Sequence, residues 1–180
     1  LPISGATFVA RSVDVLQSHL KETLHRAAQH KGSAFVEIYQ NCNIFNDKAF
    51  SYMTEKEARD EATVTLAHGK PLVFGKNRDK GIRLNGLEPE VIALGGQFSE
   101  SDCLVWDETS ESPTLAFVAA QLVPPHFPSP IGVFRAVSRP AYETKVVEQI
   151  RHETERLGEG SLDKLLRSGD VWTVNADGTI

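Results

Sequence analysis

Cys42 is the residue of this sequence best placed to carry chemistry. It follows a run of β-forming residues at 34–39, with asparagines around it at 41, 43 and 46. A thiol there can be a nucleophile, a metal ligand or a small buried hydrophobe. The polar setting favours the ligand role, because backbone and asparagine N–H groups directed at sulfur tune iron–sulfur clusters. One cysteine supplies one of the four thiolates of such a cluster, so the others would lie elsewhere.

The other candidate residues have plainer interpretations. Cys103 lies in an apolar run at 102–106 and is expected in the core. The six histidines are scattered, without the spacing and acidic partner of a zinc protease. The acidic stretch 55–61 is typical of a solvated surface, and Lys70 and Lys76 lie in turns.

Composition excludes several classes of protein. The chain has 180 residues, 41% hydrophobic and 24% charged, which suits one domain or one domain with an appendage. Its net charge of −5 weighs against nucleic-acid binding, and no apolar run approaches the roughly 20 residues of a membrane helix. Two cysteines make neither a disulfide framework nor a self-contained zinc site. The sequence starts at Leu1 without a secretory leader, so we expect a cytoplasmic protein. Because it starts abruptly, just before a predicted strand, we expect it to be a piece of a longer polypeptide.

The elements that would position Cys42 form a strand–helix–strand unit. Residues 6–10 predict a strand, and apolar residues at three- and four-residue spacing predict a helix over 13–27 with Ser12 as its N-cap. A second strand is predicted at 34–39. Such a βαβ unit makes the two strands parallel, which places Cys42 at the carboxyl edge where ligands gather.

A parallel sheet normally has more than two strands and is covered on both faces. Residues 1–40 therefore look like the closing part of an α/β sheet whose earlier strands are absent. The alternative is a small sheet completed by later strands of the same chain.

The chain changes character near Asp47, where we expect a domain boundary. Beyond it, a short charged helix is predicted at 54–60, with Thr54 and Glu57 as a capping box. The further predicted elements are strands at 63–66, 71–74, 81–84, 91–94, 104–106 and 131–137, and helices at 113–123, 142–157 and 162–167.

Several separate blocks of the sequence resemble the β subunit of 2-oxoacid:ferredoxin oxidoreductases, and they follow one another in the order expected for that subunit. The likeness is closest to the 2-oxoglutarate branch. They cover nearly the whole chain, which makes the resemblance more specific than one short motif. In the first part they are residues 5–11, 30–32, 35–38 and 42–46. In the second part they are residues 68–75, 130–135, 139–142 and 169–174.

The resemblance implies a heteromeric enzyme that oxidatively decarboxylates a 2-oxoacid to its acyl-CoA. In such enzymes thiamine diphosphate with Mg²⁺ carries out the decarboxylation, a 4Fe-4S cluster passes electrons to ferredoxin, and coenzyme A takes the acyl group. It implies that Cys42 is one cluster ligand and that an α subunit is the partner. It also implies that residues 1–47 close the thiamine-diphosphate-binding domain, with 48–180 as an α+β C-terminal extension.

Two departures from the family pattern set expectations. The Gly-Asp-Gly-Asp stretch that holds magnesium and diphosphate, and the other three cluster cysteines, are not in this sequence. We expect them upstream, so the chain alone should bind neither thiamine diphosphate nor a complete cluster. Asn43 also stands where related subunits often have proline, which relaxes the turn but leaves the sulfur.

Two alternatives stay open. One is a non-catalytic accessory protein that keeps the folded extension and binds the α subunit. The other is a stand-alone hydrolase-like protein with Cys42 as nucleophile, which would need a histidine base within hydrogen-bond reach.

Overall fold

The computed structural model describes residues 5–180, which form two compact units. The first unit ends at Arg139 and the second comprises Pro140–Ile180. Strands of the first unit are β1 (Phe8–Val13), β2 (Ala34–Tyr39), β3 (Thr63–Leu66), β4 (Val73–Phe74), β5 (Lys80–Asn85), β6 (Glu88–Ala93) and β7 (Ser129–Ala136). Its helices are α1 (Gln17–Gln29), α2 (Ser51–Thr54), α3 (Lys56–Ala62) and α4 (Thr114–Ala120). The second unit contains α5 (Tyr142–Leu157) and α6 (Leu162–Leu166).

The main sheet has the strand order β2-β1-β7-β3. β1 and β2 are parallel, from Phe8 opposite Ala34 to Val13 opposite Tyr39, which confirms the predicted βαβ unit. β7 is antiparallel to β1, and β3 is parallel to β7. Later strands of the same chain thus extend the sheet on the β1 side, as the alternative expectation described, and the protein has a mixed α/β fold. All six residues of β1 are buried, because the strand is paired on both sides and covered on both faces.

The start of α1 differs from the prediction. Pairing with β2 carries β1 through Ser12 to Val13, so Ser12 is a buried strand residue and not an N-cap. Its Oγ lies 2.8 Å from Nδ1 of His19, in the first turns of the helix. α1 begins after Leu16, which provides no side-chain cap. Strand pairing here overrides the local helical periodicity.

The charged segment after α2 also differs from the prediction. Thr54 ends α2 instead of capping the next helix, and α3 starts at Lys56 behind Glu55. No side-chain hydrogen bond caps α3, so the predicted capping box of Thr54 and Glu57 is wrong.

A second, smaller sheet has the order β4-β5-β6 and is antiparallel throughout. The predicted strand at 104–106 is instead an irregular segment. It forms one isolated bridge, between Val105 and Pro71, supported by backbone bonds from Leu72 to Leu104 and from Trp106 to Lys70.

Trp106 anchors the main core. It is 1% exposed and packs in a cluster with residues from both sheets and α4, including Val9, Leu72 and Phe134. Its Nε1 donates a hydrogen bond of 2.8 Å to the carbonyl oxygen of Val133, so the indole is buried with its polar group paired.

β7 passes very close to β3 at Gly132. The residue has φ +116°, outside the range of most L-residues, and it pairs with Leu66. A Cβ at Gly132 would collide with the carbonyl oxygen of Leu66 and lie 3.2 Å from that residue's nitrogen and carbonyl carbon. The main sheet therefore needs glycine at this position.

The second unit has little interior. α5 has the predicted bounds, and α6 ends one residue earlier than predicted. Every residue of Pro140–Ile180 is exposed except Ala141 and Val146, which are half-buried. Nowhere in the described part of the chain does a helix combine the length and apolarity needed to cross a membrane.

Candidate functional site

Cys42 lies in a short loop that leaves the carboxyl end of β2. We call residues 41–48 the Cys42 loop. Cys42 and Asn46 form an isolated antiparallel bridge, in which the Asn46 amide donates to the Cys42 carbonyl oxygen at 3.0 Å. The chain thus turns back on itself directly after the strand and holds the thiol, half-buried, at the sheet edge. Sequence placed Cys42 at this edge, and the structure does the same.

Backbone amides of the loop lower the pKa of the Cys42 thiol. Those of Phe45, Ile44 and Asn46 contribute in that order by stabilising the thiolate, which is the form that binds metals. The Asn46 amide also donates to the Cys42 carbonyl oxygen. The expectation that N–H groups are directed at this sulfur stays a prediction.

Asn41 uses its side chain to close the loop, not to reach the sulfur. Its Nδ2 donates to Oδ1 of Asn43 at 2.5 Å and to Oδ1 of Asp47 at 2.9 Å. Its Oδ1 accepts the amide of Lys48 at 2.8 Å, where the backbone has φ +60°. These bonds fix the conformation of the loop.

An aromatic stack fastens the loop to the sheet. The ring of Tyr39 lies on that of Phe50, with centroids 4.7 Å apart and planes within 3°. The guanidinium of Arg11, on β1, lies 5.1 Å from the centre of the Tyr39 ring and donates from Nε to Glu37 at 2.6 Å. Burial raises the pKa of the Tyr39 hydroxyl.

Arg11, Glu37 and Phe50 were not identified from the sequence as parts of the site. Arg11 is buried, and its ion pair with Glu37 joins β1 to β2 beneath the loop. The available signal at Arg11 and Glu37 was a charged residue within a largely apolar strand, and Phe50 had no such signal. Paired charges are how proteins tolerate such burial.

Exposed apolar side chains lie on the Cys42 loop and along β2. Ile44 and Phe45, at the tip of the loop, are 84% and 90% exposed. On β2, Phe35 and Ile38 are also exposed, and within residues 5–180 this strand pairs only with β1. A strand that is apolar on both faces is typical of the interior of a parallel sheet.

The second cysteine has the opposite environment. Cys103 is 6% exposed, as the core prediction expected. Burial raises the pKa of its thiol, with smaller contributions from Glu100 and Asp102. Among the described residues, no three histidine, cysteine, aspartate or glutamate side chains are grouped so as to hold a metal ion.

The Cys42 loop can therefore provide one thiolate to a metal group. A half-buried thiol with a lowered pKa suits one corner of an iron–sulfur cluster. It does not suit a nucleophile activated by histidine, since the groups that shift its pKa include backbone amides and no histidine.

The two thiols should differ in their reaction with iodoacetamide. We expect Cys42 to be alkylated about tenfold faster or more than Cys103 at pH 7.5, because it is less buried and its thiolate forms at lower pH. Peptide mass spectrometry over pH 6–10 measures both profiles, with Cys103→Ser as control. A Cys42 midpoint at or above that of free cysteine would contradict the proposed amide effect.

Comparison with known proteins tests the family resemblance independently. No family model matches the chain. The chain is 35% identical over 173 residues to 2-oxoglutarate oxidoreductase subunit KorB of Mycobacterium tuberculosis, covering 94% of this chain and 46% of that protein. The resemblance to 2-oxoacid oxidoreductase β subunits is confirmed. The chain spans about half the length of KorB.

Two archaeal proteins match a shorter stretch at higher identity. The chain is 50% identical over 44 residues to 2-oxoacid:ferredoxin oxidoreductase 1, subunit beta, of Aeropyrum pernix. It is 46% identical over 44 residues to the corresponding beta subunit of Saccharolobus solfataricus. Each match covers 24% of this chain and 14% of the relative.

Proposed function

We propose that this chain is the carboxy-terminal part of the β subunit of a 2-oxoglutarate, or related 2-oxoacid, oxidoreductase. The enzyme would oxidise its 2-oxoacid to an acyl-CoA and pass the electrons through an iron–sulfur cluster to ferredoxin. The observation that carries this proposal is the half-buried thiol of Cys42, with its lowered pKa, at the carboxyl end of β2 in a chain that matches KorB over 94% of its length.

In this proposal Cys42 is one of four thiolate ligands of the 4Fe-4S cluster. The backbone N–H groups that lower the pKa of this thiol would also favour a thiolate bound to iron. The cluster supplies one-electron transfer when it is bound. The chain's own contribution is to hold one ligand on a closed loop at the carboxyl end of β2.

The other cofactors belong to the part of the enzyme outside this chain. The signature that holds magnesium and thiamine diphosphate in the family is not in this sequence, so we assign no residue to either group. The open side of β2, with Phe35 and Ile38 exposed, is where we propose that the remaining parallel strands attach. Residues 1–47 would then close the cofactor-binding domain. Residues 48–180 would form the extension, which continues the sheet through β7 and β3.

The chain by itself should not assemble a complete cluster. Its sequence has two cysteines, and Cys103 is buried in the core. After anaerobic incubation with iron and sulfide we expect no stable cluster absorbance. With thiamine diphosphate, Mg²⁺, 2-oxoglutarate, coenzyme A and oxidised ferredoxin we expect no turnover. The same treatment of the chain extended upstream, together with its α subunit, should give both. Turnover by the chain alone, or no cluster in the extended enzyme, would refute the proposal.

A non-catalytic accessory protein is the second candidate, since the second unit exposes much apolar surface. The reading frame upstream of Leu1 separates the two. A Cys-x-x-Cys and a Gly-Asp-Gly-Asp segment in that frame support the enzyme, and their absence supports the accessory protein.

A further inference from the structure

A cleft of about 220 Å³ lies between helix α1 and strands β3 and β7, all within the first unit. One side is lined by His19, Glu22, Thr23 and Arg26 of α1, which follow the helical spacing of three, four and seven residues. Residues 65–68, from the end of β3, line the other side, and β7 completes the lining. The volume equals that of about seven molecules of liquid water, so the cleft admits a small organic molecule.

Thr23 is a buried residue whose hydroxyl has no hydrogen-bond partner among residues 5–180. The residue is 4% exposed. In the same part of the chain, no side-chain nitrogen or oxygen that is sealed from solvent lacks a partner. The Thr23 hydroxyl therefore keeps an opening to solvent, and the cleft that this residue lines is that opening. A buried hydroxyl without a partner is costly, so it indicates a position where a ligand donates or accepts a hydrogen bond.

Glu22 offers the cleft a carboxylate that is free to bind a ligand. The side chain is exposed, and it forms no hydrogen bond or ion pair with the described residues. Arg26, one turn further along the helix, is directed to Glu108 instead. Its Nη2 donates to Oε1 of Glu108 at 2.5 Å and its Nη1 donates to Oε2 at 3.3 Å. The positive charge of Arg26 is therefore matched, whereas the negative charge of Glu22 is not.

The two histidines of the cleft do not compensate this negative charge. Nδ1 of His19 lies 2.8 Å from Oγ of Ser12. Burial lowers the pKa of His19, and Glu22 opposes this shift only in part, so the ring is neutral at pH 7.5. Nδ1 of His68 lies 3.4 Å from the carboxylate of Asp107, which matches any charge that this ring takes up. The unmatched charge of the cleft is therefore negative.

We propose that this cleft binds a small primary amine, with its ammonium group on the Glu22 carboxylate and in a hydrogen bond with the Thr23 hydroxyl. A primary ammonium has three N–H donors and carries the charge that Glu22 lacks. The alkyl part of the ligand would lie against Leu66 and Val133, which also line the cleft.

An anionic ligand suits the cleft less well. It would meet the unpaired charge of Glu22, and Arg26 is already occupied by Glu108. The residues that line the cleft lie outside the Cys42 loop, so this proposal does not rest on the proposed function.

The test compares three small ligands that differ in charge: n-butylammonium, n-butanol and butyrate. Each is titrated into the full chain at pH 7.5 while backbone amide signals are followed by NMR. We expect n-butylammonium to shift the amide signals of residues 19–26 and 65–68, with an affinity about tenfold or more above that of n-butanol. Butyrate should not shift them. If n-butylammonium shifts none of these signals, or if butyrate binds as tightly, the proposal is wrong.

Glu22→Gln tests the charged contact. It should weaken n-butylammonium binding about tenfold or more and leave n-butanol binding unchanged. The matched control is Glu57→Gln, which removes an exposed carboxylate from α3 and should change the affinity less than about twofold. Equal losses in the two variants would show that net charge alone attracts the amine, and would overturn the site.

Thr23→Val separates a binding role of the hydroxyl from a structural one. Valine has nearly the same size and removes an unpartnered hydroxyl, so the chain should unfold at the same or a higher temperature. The affinity for n-butylammonium should nevertheless fall about fivefold. A lower unfolding temperature with unchanged affinity would show that the hydroxyl is structural and would refute its contact with the ligand.

Discussion

Cys42→Ser in the complete β subunit is expected to remove the iron–sulfur cluster. Serine keeps the size of the side chain but replaces the soft thiolate that iron prefers. The loop should remain folded, because Asn41, the Tyr39–Phe50 stack and the Cys42–Asn46 backbone bridge do not depend on the sulfur. We expect iron content to fall from about four atoms per subunit to less than about one, and ferredoxin reduction to be lost.

Cys103→Ser is the matched control for this experiment. It removes the other thiol of the chain, which lies in the core and away from solvent. Iron content and ferredoxin reduction should be retained, while stability falls by about 1–3 kcal/mol because a hydroxyl replaces a thiol in an apolar site. Full iron content in purified Cys42→Ser enzyme, or cluster loss in Cys103→Ser, would show that the ligand is wrongly assigned.

Gly132→Ala should be among the most destabilising single substitutions in the chain. The added Cβ collides with the Leu66 carbonyl oxygen across the β7–β3 pair, at a φ of +116° that alanine rarely adopts. The atoms that this Cβ meets all belong to the backbone of Leu66, so no flexible side chain can move aside. We expect the free energy of unfolding to fall by about 3–5 kcal/mol in urea denaturation.

Gly86→Ala separates the two causes of that loss. Gly86 also has a positive φ, +66°, but no atom lies within 4 Å of the Cβ it would gain. It should therefore show conformational strain alone, about 1–2 kcal/mol. If the two variants lose equal stability, the close approach of β7 to β3 is not what demands glycine at position 132.

Helices and strands that depend on local sequence patterns could be predicted. The bounds of β2, β3 and α5 match the predicted ranges, because each is a short periodic segment ended by turn residues or glycine. The contrast between the two cysteines was also predictable. Cys42 follows a strand among polar residues, whereas Cys103 lies in an apolar run.

Features that depend on contacts between residues distant in the sequence could not be predicted in the same way. The sequence left open whether later strands would extend the sheet, since β7 pairs with β1 across most of the chain. Ser12 was assigned to a helix cap because its pairing with β2 is a tertiary contact. The hydrogen bonds of Asn41 within the loop need a conformation, at Lys48, that no local pattern indicates.

The interleaving of β7 between β1 and β3 has a consequence for biosynthesis. Val9 emerges from the ribosome more than a hundred residues before its neighbour on one side, Arg135. Strand β1 must therefore remain uncovered on that side until β7 has been made, and such long-range pairing slows folding. Products of interrupted translation that lack residues 129–136 should accordingly aggregate or be degraded, and expression should benefit from chaperones and slow growth at low temperature.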